Sequence, residues 1–304
     1  MTATTAKLDS ARSGAARLAF GQILEQLREE PSRTWSIIIT VYGDAIVPRG
    51  GSVWLGTLLD FFGALEISDG VVRTAMSRLA ADGWLERNRV GRNSFYRLAD
   101  KGTETFRRAT EHIYNPRSPE WHGHFEMLLP DNGPDRDLMR SALEGAGFGA
   151  PVPGVWIAPV GTPIPPEASA AKRLKAGGDD ATNRTLAAQS WPLAETSEAY
   201  RRFSAAFGPL HEALIAGGRL TDLESVVIRI LLIHQYRRIV LRDPILPAEI
   251  LPNDWPGMAA RALCADIYGC VLAGSERWLD GNAVDESGAC PAASPEIYSR
   301  FKRG

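Results

Sequence analysis

The pattern of apolar residues changes at Gly83, and this change restricts the folds that the chain can adopt. Before Gly83, apolar residues recur at helical spacing, at Val72, Ala75, Met76 and Leu79. After it, the stretches WLER and FYRLA are typical of short strands, joined across NRVGRN, where Gly91 supplies the turn. The sequence therefore predicts an amphipathic helix from Asp69 to Asp82, followed directly by a β-hairpin.

A second predicted helix precedes this pair. Ser52 is in the N-cap position for VWLGTLLDFFGAL, whose apolar stripe ends at Gly63. Ser68 is the next N-cap, and Asp69 suits the positive end of the helix dipole. Two helices, a short turn and a hairpin follow the order of a winged helix-turn-helix. In that arrangement the second helix enters the major groove of DNA, and the hairpin approaches the backbone or the minor groove.

The second helix and the hairpin carry the candidate DNA contacts. Arg73 can offer a two-pronged hydrogen bond to guanine, while Thr74 and Ser77 can reach a base or a phosphate. Arginines on both sides of the hairpin turn would neutralise phosphates and supply affinity that is independent of sequence. The predicted DNA-binding residues are Arg73, Thr74, Ser77, Arg78, Arg87, Arg89 and Arg92.

Charge is concentrated in this segment. Residues 68–108 contain nine basic and five acidic residues, an excess of four positive charges, whereas the whole chain has a formal net charge of −2. The segregation favours a nucleic-acid partner, and the overall charge conceals it. The alternative is an exposed basic helix and hairpin whose arginines are only solvated. The agreement of charge with element order favours DNA binding.

The chain of 304 residues is too long for one small core and predicts several domains. We expect a flexible leader over residues 1–31 and the winged helix-turn-helix domain over 32–114. The linker YNPRSPEW leads to a ferredoxin-like α+β domain over 120–193, where strands and helices alternate. An all-helical domain follows over 194–304. The fold class is α+β with several domains.

Two elements of the central domain are assigned from short patterns. A helix is expected from about Pro166 to Ala176, and a last strand is expected in RTLAAQSWPL. In the C-terminal domain, RLTDLESVVIRILLIHQYRRIVLRD predicts one long helix that stops at Asp243–Pro244. A second long helix is predicted between Pro256 and Gly281.

Composition predicts a cytosolic protein. Hydrophobic residues make up 44% of the chain and charged residues 23%, as in ordinary globular proteins. No segment reaches the length of a continuous apolar membrane span, and the N-terminus lacks the apolar core of a signal peptide. Cys264, Cys270 and Cys290 form an odd set without CxxC spacing, which favours a reducing compartment over a disulfide framework.

Four segments resemble the PaaX family of bacterial transcriptional repressors: VYGDAIVPRGGSVWLGTLLDFF, VRTAMSRLAADGWLERNRVGRNSFYRL, GVWIAP and LIHQYRRIVLRDPILPAEILPNDWPG. The resemblance extends from about Ser32 to Trp278. It implies an N-terminal winged helix, a central ferredoxin-like domain similar to Cas2, and a helical C-terminal domain. It also implies a homodimer that regulates aromatic catabolism and leaves its operator when an aryl-CoA, typically phenylacetyl-CoA, binds. The segment WHGHFEML departs from the usual basic and aromatic run of the family.

An anionic CoA effector needs cationic groups for its phosphates and an apolar wall for its acyl group. His234, Arg238 and Arg242 follow one predicted helix, and Trp255 could supply an aromatic wall. These four residues are the candidate effector-binding residues. The alternative is a structural helix whose His and Arg side chains bond to the following loop through Asp243.

Catalytic and metal sites are expected to be absent. A competing function is an enzyme that uses CoA thioesters with His234 as general base, but the sequence offers His234 no nucleophile partner. His122 and His124 lie two residues apart without further ligands nearby, which is too few for zinc. A magnesium-dependent nuclease would use Asp131, Asp135 and Asp137, but these residues fall on a loop and a helix start, where capping and the helix dipole explain them better. No cofactor is predicted.

Overall fold

The structure, a computed structural model, describes residues 2–130 and 136–302. The chain divides into two compact units that are not consecutive in sequence. Unit 1 contains residues 1–115, 202–238 and 259–304, and unit 2 contains residues 116–201 and 239–258. The fold is α+β, with two small antiparallel sheets and a C-terminal region that is mostly helical.

Unit 1 begins with helix α1 (Thr2–Glu29), where the sequence predicted a flexible leader. Ala16, Ala19 and Ile23 of this helix are buried. Alanine has the highest helix propensity, and these three side chains give the helix an apolar stripe. Residues 16–23 of the predicted leader thus contribute side chains to the core of unit 1.

Helix α2 (Thr34–Val41) continues through a short π-helix (Tyr42–Ile46) and a 3₁₀ turn (Val47–Arg49). Strand β1 (Ser52–Trp54) and helix α3 (Leu55–Gly63) follow. The predicted helix start at Ser52 is wrong, because residues 52–54 pair with a later strand, and α3 begins at Leu55.

Helix α4 (Asp69–Ala81), strand β2 (Leu85–Val90) and strand β3 (Asn93–Leu98) confirm the helix and hairpin predicted around Gly83. The three strands form an antiparallel sheet in the order β1-β3-β2. Helix α4 packs on α2 and α3 through Val72, Met76 and Leu79, which are buried. Strand β1 thus depends on residues far away in the chain: Ser52 is opposite Arg97 and Trp54 is opposite Phe95, while the Trp54 amide donates to the Val284 carbonyl at 2.8 Å.

Helix α5 (Asp100–Tyr114) closes the N-terminal part of unit 1. The C-terminal region supplies helices α8 (Leu193–Ile215), α9 (Asp222–Val240) and α10 (Gly257–Asn282), and the last two match the long helices that the sequence predicted. By length and composition α10 could cross a membrane, a test that core helices also pass. Cys264, Ile267 and Tyr268 are buried in unit 1, which identifies α10 as a core helix.

A buried ionic cluster joins the segments of unit 1. The Arg229 guanidinium donates through Nε to the Asp44 carboxylate at 2.5 Å, and through Nη1 to Glu276 and to the Ser275 hydroxyl. Arg49 also donates to Glu276. Burial alone lowers the pKa of Arg229, but the attraction of Asp44 and Glu276 outweighs it and raises the pKa. The buried Arg229 guanidinium is therefore stabilised in its charged form by the two carboxylates.

The C-terminal tail adds a third cation to the same cluster. Arg300 donates to the Asp44 carboxylate at 2.7 Å and to the Tyr268 hydroxyl at 2.9 Å. Its guanidinium lies over the Tyr114 ring, 4.3 Å from the ring centre. The Ser294 amide also donates to the Pro48 carbonyl. The tail is thus bonded to the turn that follows α2.

Unit 2 is built on a four-stranded antiparallel sheet in the order β5-β6-β4-β7. Its strands are β4 (Phe125–Leu129), β5 (Gly149–Val152), β6 (Val155–Pro159) and β7 (Lys172–Ala176). Helix α6 (Arg136–Gly145) supplies Leu143 to one face, where Leu128 and Trp156 also pack. Helix α7 (Asp180–Ser190) covers the other face, where Phe125, Ile157 and Trp191 form a core.

Two predictions in unit 2 are wrong. The segment expected to be a helix from Pro166 to Ala176 is a 3₁₀ turn (Pro166–Ala168) followed by strand β7. The last strand expected in RTLAAQSWPL is part of helix α7, because the Asp179 carboxylate caps that helix by accepting a bond from the Thr182 amide.

Candidate nucleic-acid interface

Helix α4 buries one face and exposes the other. Ser68 is in the extended conformation of an N-cap residue, and Asp69 lies in the first turn. Val72, Ala75, Met76 and Leu79 are buried, as their spacing predicted. All four predicted contact residues of this helix are exposed: Arg73, Thr74, Ser77 and Arg78. The helix therefore presents small and cationic side chains along one solvent-facing stripe.

The contacts within this stripe leave Arg73 able to move. Its guanidinium lies 3.8 Å from the Asp69 carboxylate, and both side chains are more than half exposed. Such an exposed pair one helical turn apart contributes only about 0.3–0.5 kcal/mol, so a stronger partner can replace it. The Thr74 hydroxyl donates to the Gly70 carbonyl at 2.8 Å. Thr74 thus offers a methyl group and an acceptor oxygen rather than a donor.

Val71 is a residue of this surface that the sequence analysis did not select. It is 49% exposed in the first turn of α4. Val71, Thr74 and Arg78 follow one another at intervals of three and four residues, so their side chains form a row. The sequence did contain a signal for this residue: Val71 is apolar but lies on the polar side of α4, outside the buried stripe.

The hairpin brings its arginines to one face. Arg87 is opposite Tyr96 and Arg89 is opposite Ser94, and alternate residues of a strand share a face. The Arg87 guanidinium donates to the Ser94 hydroxyl at 2.8 Å, which fixes it across the hairpin. At the tip, Gly91 has φ +59°. Gly91 therefore supplies the left-handed conformation that the tight turn needs, and Arg92 follows it.

Two bonds fix the hairpin to the end of α4. The Trp84 amide donates to the Leu79 carbonyl at 2.9 Å, and the Trp84 carbonyl accepts from the Ala99 amide at 3.1 Å. Lys101 donates to the Asp82 carbonyl and its ammonium lies 5.2 Å from the Trp84 ring centre. The helix and the hairpin thus form one basic surface in which Arg87, Arg89 and Arg92 are also exposed. We call this surface, with the four exposed residues of α4, the basic face.

His234, a candidate effector residue and general base, is completely buried in unit 1. Its Nδ1 lies 3.1 Å from the Thr40 hydroxyl, and its Nε2 has no hydrogen-bond partner among the described residues. Burial, helped by the charges of Arg237 and Arg238, lowers the pKa of His234 to about 3. A neutral, enclosed imidazole matches the alternative of a structural helix better than contact with a ligand.

This burial predicts acid sensitivity. The unfolded chain binds a proton at His234 below about pH 6.5 whereas the folded chain does not, so folding stability falls as pH decreases from 6.5 towards 3. We expect this residue to lower the free energy of unfolding by about 2 kcal/mol between pH 7 and pH 5. Urea unfolding at pH 7 and pH 5 measures this decrease in stability. The decrease should be smaller in His234→Leu than in the wild type. The control variant His122→Gln, at an exposed histidine, should show the same decrease as the wild type. A wild-type decrease in His234→Leu would contradict the conclusion that His234 is buried in its neutral form.

The other candidate effector residues are divided between the two units. Arg238 belongs to unit 1, is exposed, and donates to the Ser32 hydroxyl at 3.5 Å. Arg242 and Trp255 belong to unit 2. Arg242 is exposed, whereas Trp255 packs edge-on against Tyr200 beside the core of unit 2.

The candidate metal residues do not form a cluster in the part of the chain that the structure describes. No three His, Cys, Asp or Glu side chains there lie close enough to hold a metal ion. His124 Nδ1 bonds to the His122 carbonyl instead, at 3.0 Å. Asp131 and Asp135 lie outside the described residues, and Asp137 is in the first turn of α6.

Comparison with known proteins gives matches over both ends of the chain. Two family profiles match, "PaaX-like protein" over residues 33–102 and "PaaX-like protein C-terminal domain" over residues 191–281. The transcriptional repressor PaaX of Escherichia coli (strain K12) is 36% identical over 283 residues, which are 88% of this chain and 89% of that protein. The basic face lies wholly within the first matched region.

A solved structure is also similar. The uncharacterized protein Rv0674 from Mycobacterium tuberculosis superimposes with a TM-score of 0.52 and 27% sequence identity. The similarity covers 73% of this chain and 90% of that one. The architecture thus recurs in another bacterial protein over most of its length.

Proposed function

Because the chain belongs to the PaaX family of transcriptional repressors, we propose that it represses transcription by binding operator DNA through its basic face. Helix α4 enters the major groove and the β2–β3 hairpin contacts the backbone as a wing. The observation that carries this proposal is the exposure of all seven predicted contact residues on two adjoining elements. The buried side of the same elements packs against α2 and α3.

The order of elements supports a winged helix-turn-helix. Helices α3 and α4 lie in the chain between strand β1 and the β2–β3 hairpin, and β1 completes the sheet at β3. In unit 2, the order β5-β6-β4-β7 supports the ferredoxin-like, Cas2-like assignment, because the first and third strands are central and neighbours are antiparallel. The second crossover, which is a helix in the common form of that fold, is here the 3₁₀ turn.

The remaining partners are proposed from the family resemblance. We propose that the protein is a cytoplasmic homodimer, with two copies of α4 on a two-fold operator. Its effector is an aryl-CoA thioester such as phenylacetyl-CoA, which releases the DNA. A coupling free energy of a few kcal/mol between the thioester and the DNA is enough for this release, because about 1.4 kcal/mol changes a binding constant tenfold. The protein needs no cofactor for this function.

An enzyme with His234 as general base is the weaker candidate. The His234 ring is enclosed, and its Nδ1 is already bonded to Thr40. A general base has to reach the proton that it removes, either directly or through one water molecule. Incubating the protein with phenylacetyl-CoA should therefore give no CoA release, whereas turnover that His234→Ala abolishes would favour the enzyme.

Val71 is expected to read thymine. An exposed aliphatic side chain in the major groove can contact the 5-methyl group, which only thymine carries. Replacing that thymine by deoxyuridine should weaken binding roughly fourfold, about the 0.8 kcal/mol of one buried methyl group. The test scans each thymine of the bound site, selected from a pool of random duplexes, by fluorescence anisotropy.

The Val71→Ala variant should bind the duplex with thymine and the duplex with deoxyuridine equally well at the position that Val71 contacts. Val90→Ala is the matched control, because Val90 is 46% exposed at the hairpin and its removal should preserve the difference. A thymine preference that survives in Val71→Ala would show that Val71 does not make this contact.

A further inference from the structure

Unit 1 contains a cleft with a volume of about 860 Å³. Its walls come from residues 43–51 after α2, from the end of β3 together with α5, and from the C-terminal tail at residues 294–300. We call it the tail cleft. Its volume lies within the range of about 300–1,000 Å³ that is usual for sites of small molecules and cofactors.

The lining of the tail cleft contains both apolar and cationic side chains. Phe106 and Ile297 are buried apolar residues that line it from α5 and from the tail. Arg97, Arg107 and Arg300 line it as well, together with Glu111 and Glu296. Arginine is suited to phosphate because its donors form a planar fork. The combination fits a ligand that has an anionic end and an apolar end.

The arginines of the cleft differ in how firmly they are held. Arg300 is bonded to Asp44 and is part of the buried ionic cluster. Arg107 bonds to Glu104 at 3.0 Å but is more than half exposed, so an anion can compete for it. Arg97 is exposed on β3, opposite Glu86 of β2. The exposed cations of the cleft are thus Arg97 and Arg107, whereas the side chain of Arg300 is buried.

We propose that the tail cleft is the effector site and that it binds an acyl-CoA thioester, the acyl group against Phe106 and Ile297 and the phosphates on Arg97 and Arg107. This inference rests on the proposed function, which supplies the class of effector. Residues 97 and 98 line the cleft and end the strand that pairs with the arginine-bearing β2. A ligand in the cleft therefore contacts the wing directly, and its binding alters the basic face without a route through unit 2.

A side chain that fills the cleft tests the location. Thr110 lines the tail cleft, whereas Thr105 is exposed on the same helix and does not. Thr110→Trp should weaken phenylacetyl-CoA binding, measured by isothermal titration without DNA, by at least about tenfold. Thr105→Trp should bind as the wild type does. Equal affinity in Thr110→Trp and the wild type would overturn the proposed site.

A pair of arginines gives a second test that does not depend on packing. Arg107 and Arg108 are adjacent, exposed and both bonded to Glu104, but only Arg107 lines the cleft. Arg107→Gln should weaken thioester binding by about three- to tenfold, whereas Arg108→Gln should not. Equal losses would indicate general attraction and overturn the site. A wild-type protein that binds no phenylacetyl-CoA would instead refute the proposed effector, and the inference would fall with it.

Discussion

Replacing Arg229 by methionine is expected to lower the free energy of unfolding by about 3–5 kcal/mol. Arg229 is fully buried and bonds to Asp44, Ser275 and Glu276. Methionine fills a similar volume but cannot donate. Asp44 and Glu276 would each lose one cationic partner, which leaves Arg300 beside Asp44 and Arg49 beside Glu276. A buried charge that loses its partner costs far more than an exposed one.

Arg277→Met is the matched control for this variant. Arg277 is on the same helix as Glu276, is 63% exposed, and pairs with Asp222 at 2.7 Å. Its loss should lower the free energy of unfolding far less than the loss of Arg229 does, because exposed ion pairs are worth little. Guanidinium unfolding of the two variants beside the wild type measures both changes. A similar small cost for both would contradict the structural role of the ionic cluster.

Replacing Arg73 by alanine is expected to reduce the preference for operator over random DNA by about 1–3 kcal/mol, roughly five- to 150-fold. Arg73 is a long donor on the exposed stripe of α4, and its contact with the Asp69 carboxylate is loose, at 3.8 Å. Loss of a base contact lowers operator affinity while affinity for random DNA changes little. Competition binding with the two duplexes measures the ratio.

Arg89→Ala is expected to act differently, because Arg89 lies on the hairpin and would contact phosphate. It should weaken binding to both duplexes alike and make the salt slope shallower by about one. Arg108→Ala removes an exposed charge of α5 outside the basic face and serves as the control. Equal effects of Arg73→Ala and Arg89→Ala on both duplexes would contradict the roles assigned here.

The elements of the basic face were predictable because their signals are local. The N-cap at Ser68, the apolar spacing of α4 and the glycine at position 91 all lie within the segment that they organise. The same holds for α9 and α10, whose length and flanking prolines are visible in the sequence. Exposure of the four contact residues of α4 followed from the burial of the opposite side of the helix, and the three arginines of the hairpin lie in a stretch, residues 86–92, that is exposed throughout.

The missed elements depend on distant partners. Strand β1 has three residues and exists because Ser52 and Trp54 meet Arg97 and Phe95 across the sheet. Strand β7 is an exposed edge strand, KRLKA, without alternation of apolar and polar residues, and its register comes from β4. No local pattern distinguishes such segments from helices or turns.

The ionic cluster and the tail cleft were not predictable for the same reason. Arg229 interrupts the apolar run of α9, which indicates a special position but does not identify Asp44, a residue far away in the chain. The tail cleft combines residues of the first and last parts of the sequence. His234 stood out as a functional candidate by its residue type, whereas burial makes it a core residue.

The most direct test of the account is binding to the duplex upstream of the protein's own gene, titrated with salt in the presence and absence of phenylacetyl-CoA. We predict tight binding whose affinity falls steeply with salt, since phosphate contacts release counterions. The thioester should release the DNA. Absence of binding at low salt would contradict the central claim that the basic face binds operator DNA.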